Sequence, residues 1–206
     1  MRNRWQVIVT SLVVLVLAAV VLAGPPFRAK PFEFDPTNSG IVEAAWIPHE
    51  GLPDNNGNSN HALFLSKDGL TATNASSGAI LQGVAGITLT ELGFDVRNDG
   101  HCGAGAPRFN VTMSNDGLHF VGCIYGAVTG TFTDPQGNIW TRRRWTAPAL
   151  ASMTAVVAFP PITPASGTVV SISIVFDEGS DQGQGFTHLD NIDVNGVLIG
   201  KPGNAF

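Results

Sequence analysis

Alternation of apolar and polar positions predicts a chain built mainly from short strands. The clearest case is Phe109, Val111 and Met113, which alternate with Asn110, Thr112 and Ser114. That period of two is the mark of a half-buried strand. Asn115-Asp116-Gly117 is a hairpin signal, so 109–125 reads as a hairpin whose second arm is 118–125. A second hairpin is expected from 128–133, a type I turn at Asp134-Pro135-Gln136-Gly137, and a return over 138–145. Val170, Ile172, Ile174 and Phe176 alternate with small or polar partners within 169–176. A last strand pair, 186–194 and 197–199, flanks Asn195-Gly196.

Other segments are less regular. Strands are expected at 41–47, at 61–67 before Asp68-Gly69, and weakly around Ala79-Ile80-Leu81. In 87–96 the phase slips: Ile87 and Leu89 share one face, and Leu92, Phe94 and Val96 the other, which predicts a bulge near Glu91. The stretch 149–158 fits either a strand or a short helix. Nine or ten short strands without a long helix predict an all-β fold, an antiparallel β-sandwich or jelly roll.

The N-terminus breaks this pattern. Arg2 and Arg4 precede an uncharged run from Val7 to Ala23, and Gly24-Pro25-Pro26 ends it. This is the layout of a secretory signal, with cleavage after Ala23. The alternative is an uncleaved hydrophobic targeting helix that anchors the chain through residues 7–23. Either way residues 25–206 are expected outside the cytoplasm, secreted or held at the outer face of the membrane. The expected division is therefore 1–23 signal or anchor, 24–40 Pro-rich linker and edge segment, and 41–206 sandwich domain.

Composition supports the strand-rich reading. Only 13% of the 206 residues are charged, while Gly numbers 24 and Pro 13. The net charge of −5 gives no electrostatic footprint for nucleic acid. The only two cysteines, Cys102 and Cys123, lie in the exported part, where a disulfide is the default.

The stretch from Phe186 to Gly196 (FTHLDNIDVNG) resembles the closing strand of bacterial carbohydrate-binding-module-like, galactose-binding-like jelly rolls. Residues 99–111 (DGHCGAGAPRFNV) resemble segments of uncharacterised secreted bacterial proteins. The first resemblance implies a closing-strand carboxylate that holds a structural calcium, which maps onto Asp190, with Glu43 the nearest partner in an early strand.

Three groups of side chains could carry chemistry. Asp177, Glu178 and Asp190 are the candidate calcium ligands, since calcium takes several oxygens and a Gly-rich loop can turn carbonyls inward. The competing reading is a solvated acidic loop, with Asp190 bonded to nearby backbone amides. The Asx-rich loop 54–60 lacks the glycine and closing glutamate of an EF-hand. Trp140, Arg142 and Arg144 would share one strand face, a stacking plane beside fixed positive charge suited to an extracellular glycan or other surface ligand. Against that stands a core tryptophan with arginines guarding an edge strand. Arg97, Asp99, His101 and Arg108 crowd the Gly-rich loop, and His119 and His188 are expected on strands at the surface or half-buried. Neither a metal-protease motif nor a nucleophile elbow is present. The leading expectation is a non-catalytic, lectin-like binding module. A structural or cell-surface interaction protein is the alternative, and a secreted hydrolase comes third. Buried tryptophans would favour the interaction protein.

Overall fold

The computed structural model describes residues 27–53, 60–70, 73–152, 157–177, 185–201 and 204–205. The signal or anchor segment, the loop 54–59 and Glu178 lie outside the described residues. The strands, in order, are β1 (Arg28–Phe34), β2 (Val42–Pro48), β3 (His61–Lys67), β4 (Ser76–Gln82), β5 (Glu91–Arg97), β6 (Arg108–Met113) and β7 (Gly117–Gly122). They continue with β8 (Ala127–Thr133), β9 (Ile139–Thr146), β10 (Val169–Phe176), β11 (Gly185–Val194), β12 (Val197–Lys201) and β13 (Asn204–Ala205). One turn of helix, α1 (Ala147–Leu150), follows β9.

These strands form two antiparallel sheets packed as a sandwich. The smaller runs β1-β4-β10-β6-β7. The larger runs β13-β12-β11-β5-β9-β8, with β3 pairing the first half of β11 and β2 completing that edge. The all-β, jelly-roll-like expectation therefore holds. Most expected strands are present, and β1 falls inside the segment 24–40 as the edge of the smaller sheet.

The core follows the alternation. Phe109, Val111 and Met113 on β6 are buried, whereas Asn110 and Thr112 are only half-buried. They meet Leu92, Phe94 and Val96 from β5, and Phe94, Phe109 and Trp145 pack ring against ring with centroids 5.2–5.6 Å apart. Aromatic clusters of this kind contribute both buried area and edge-to-face contact.

Two local expectations need correction. The phase slip at Glu91 is not a bulge: residues 87–90 are a connection, and β5 begins at Glu91. The irregularity on that pairing lies across the ladder, in β11 between Asp190 and Asp193. The second arm of the first hairpin also ends early, because Cys123–Tyr125 forms a 3-10 turn. The ambiguous segment 149–158 opens as the end of α1. Cys102 and Cys123 are disulfide-bonded, with Cα atoms 5.3 Å apart. Bonds of this kind persist in oxidising, extracytoplasmic compartments. Among the described residues no helix is long and apolar enough to cross a membrane.

Candidate functional site

Strand β9 carries the tryptophan and arginines singled out by sequence, and its register explains where each goes. Trp140, Arg142 and Arg144 share the outer face of the larger sheet, opposite Arg97, Asp95 and Gly93 on β5. The trio is on one face as expected, but its groups already have partners. Trp140 is fully buried against Leu52, Ala62 and Phe132. Its indole N–H donates to Asp134 Oδ2 at 2.9 Å. Asp134 also accepts from the Gln136 and Asn138 amides and from Asn138 Nδ2, so one carboxylate organises the whole turn. Burial pushes its pKa up, but these donors outweigh that and leave it lowered.

The arginines are tied down equally well. Arg142 makes a two-pronged contact with Asp95, at 2.8 Å through both Nε and Nη2, and stacks over the Phe132 ring. Asp95 is fully buried and also accepts from Asn191 Nδ2. Arg144 is buried, with Nε 3.2 Å from Asp193 and 3.7 Å from Glu91. Gly93 makes room for it: a Cβ there would lie 2.5 Å from the guanidinium. This face is an ion network built on buried Asp95, Asp193 and Arg144, and removing a partner of one of these leaves a buried charge less well compensated. Its aromatic ring is not open to solvent for stacking on a sugar.

The network continues toward the Gly-rich loop. Arg97 bridges Glu50 and Asp99. Its Nη2 lies 3.3 Å from His188 Nε2. Since the guanidinium can only donate, that ring nitrogen accepts and His188 is neutral. Burial first, and then repulsion from Arg97, lower its pKa to about 4. Both strand histidines are more buried than expected. His188 is enclosed by Phe64 and Phe186, and His119 is held between Pro160 O and Asp116.

The described calcium candidates do not meet. Asp177, at the end of β10 in the smaller sheet, forms a bidentate pair with Arg108 at 2.6 and 2.7 Å. Asp190, on β11 of the larger sheet, accepts backbone amides from Leu52 and Asn191. Glu43 is exposed on β2. Among the described residues no group of three or more His, Cys, Asp or Glu side chains is arranged to hold a metal.

Among the described residues an open surface lies instead on the side of the sandwich where both sheets end. β7 is the last strand of the smaller sheet and β8 the last of the larger, and the turn Cys123–Tyr125 steps from one to the other. Phe159 bridges to Phe120 on the outer edge of β7, and the inward-facing residues of β8 and of the neighbouring end of β9 form a shelf next to it. Val128 pairs with Arg143, Thr131 with Thr141 and Thr133 with Ile139 across it. Val128 is 58% exposed, Ile124 51% and Ile139 43%, with Tyr125 beside them. Arg97, Arg108, Arg142 and Arg144 each ion-pair with a carboxylate, whereas Arg143 donates only to the Ile124 and Gly126 carbonyls among the described residues. The shelf thus sets a cation without an acid among aliphatic side chains. Sequence reasoning missed it because the exposure of these residues depends on which strand ends each sheet; the uncharged run 124–133 was the available signal. No family model, curated protein or solved structure matches the chain.

Proposed function

We propose that the chain is an exported, non-catalytic β-sandwich module that holds an extended segment of a protein partner on the shelf beside β8. The observation that carries this reading is the shelf itself. Among the described residues β8 has no strand on its outer side and carries no charge and no proline along Ala127–Thr133, so its one guard is the bulge between Val128 and Gly130. A partner strand added there gains main-chain hydrogen bonds, while alternate side chains fill the step between the sheets. Exposed Ile124, Val128 and Ile139 suit apolar residues, and Arg143 suits a carboxylate between them. The partner segment is therefore acidic and apolar.

Residues 7–23 supply export, whether cleaved or kept as an anchor, and Cys102–Cys123 is the bond an exported chain would form. Glycan recognition, which the jelly-roll resemblance favours, is the weaker reading. It drew on Trp140, Arg142 and Arg144, and those side chains are engaged by Asp134, Asp95 and Asp193.

The test is selection from an unbiased displayed peptide library against the disulfide-intact domain, alongside a glycan array with and without calcium. Enrichment of acidic, apolar peptides that bind at least tenfold more weakly to Arg143→Glu is the expected result. Calcium-dependent glycan binding with no peptide enrichment would replace the proposal with a lectin.

A further inference from the structure

At the end of the sandwich where β9 gives way to α1, the chain lines a cavity of about 480 Å³. Its floor is apolar: Leu89 from the connection before β5, Met113 at the end of β6, Leu150 from α1, and Ile162, all buried. Its rim carries hydroxyls from Thr88, Thr90, Thr163 and Thr168. No charged side chain lines it among the described residues. Small-molecule sites have this make-up and are roughly 300–1,000 Å³ in size, with apolar walls and a few polar groups that fix orientation.

The walls are fixed before any ligand arrives. Ile162 N donates to Leu150 O at 2.9 Å, which ties two sides of the floor together. The stretch 163–168 is pinned from below, by Ser166 Oγ to Asp116 Oδ2 at 2.6 Å and by Thr168 N to Ser114 Oγ at 3.1 Å. His119 holds Pro160 O at 2.8 Å and so fixes the approach to Ile162. On the opposite rim Thr90 is held by Asn195, through both its amide and its hydroxyl. The Thr90 hydroxyl spends its proton on Asn195 and keeps its acceptor capacity. A preformed site of this kind loses little in ordering when it binds.

We infer that this cavity binds a neutral amphiphile: an apolar chain on the floor and a hydroxyl or ester group at the threonine rim. The chemistry selects against charge. A carboxylate or ammonium at the mouth would give up water with no counter-charge to meet it among the lining residues, whereas a hydroxyl finds donors and acceptors in the threonines. The inference is independent of the partner shelf and uses none of its residues.

The test uses the disulfide-intact protein and the neutral fluorescent probe N-phenyl-1-naphthylamine, below the micelle concentration of every competitor. Saturable enhancement is expected, with displacement by glycerol monodecanoate at least tenfold more effective than by decanoate ion. Ala147 and Thr88 are exposed at the mouth. Ala147→Trp and, as a second variant, Thr88→Trp should each weaken probe binding at least tenfold with the thermal midpoint unchanged. Binding undiminished in both folded variants, or no saturable enhancement with the unmodified protein, would overturn the site. Displacement by decanoate equal to that by the glycerol ester would overturn the neutral headgroup.

Discussion

Truncating Trp140 to alanine should destabilise the domain far more than it alters any surface. The indole is fully buried in a small cluster with Leu52, Ala62 and Phe132, and its N–H satisfies Asp134. Emptying a site of that size costs about 3–5 kcal/mol in transfer and cavity terms. A domain of this length shifts by about 2–4 °C per kcal/mol, so the thermal midpoint should fall by about 6–20 °C. Trp140→Phe separates the two contributions. It keeps most of the apolar volume and removes the donor to Asp134, a hydrogen bond to a charged acceptor worth about 1.5–3 kcal/mol. Urea unfolding followed by circular dichroism is the assay, with the slope of the transition checked to be unchanged. A loss below about 1 kcal/mol for Trp140→Ala would refute the burial argument and restore the ring as a candidate stacking surface.

Four further outcomes follow. Val111→Asp places a carboxylate in the sandwich core and should prevent stable folding, whereas Thr112→Asp on the outer face should be mild; equal midpoints would mean the β6 faces are misassigned. The Cys102→Ser, Cys123→Ser double variant should lose roughly 3 kcal/mol, and thiol alkylation without reduction should leave the unmodified protein unlabelled in intact-mass measurement. His188 is neutral when folded, with a pKa near 4 against about 6.5 when unfolded, so the unfolded chain takes up the proton first. Stability should therefore be full above about pH 6.5 and fall by on the order of 3 kcal/mol toward pH 4, a slope that His188→Gln should flatten. Asp95→Ala leaves Arg142 and Arg144 without their shared buried carboxylate and should cost about 3–5 kcal/mol, measured by the same urea titrations.

How far the sequence could be read depended on the range of the interaction. The β6–β7 hairpin was legible because its alternation and its Asn-Asp-Gly turn sit within one short window. The slip at Glu91 was visible but misread, since the end of a connection and a bulge leave the same mark on a one-dimensional pattern. Trp140, Arg142 and Arg144 were placed together on one face, because strand period alone fixes that. Their partners were not legible. Asp95 lies 47 residues from Arg142, and only the β5–β9 register brings them together. Asp134 was recognised as a turn residue, and its spacing to Trp140 gave no sign that the carboxylate would reach the indole. The shelf and the cavity depend on sheet order and on where three separate connections meet, which no local pattern encodes.

The most direct measurement of the proposed role is amide hydrogen exchange of the disulfide-intact domain with and without a library-selected acidic, apolar peptide at saturation. Strand addition at the open edge predicts slowed exchange within Ala127–Thr133, with the outer strands β1 and β2 unchanged and the protection lost in Arg143→Glu. Protection confined to any other surface, with β8 exchanging as it does in the free protein, would contradict it.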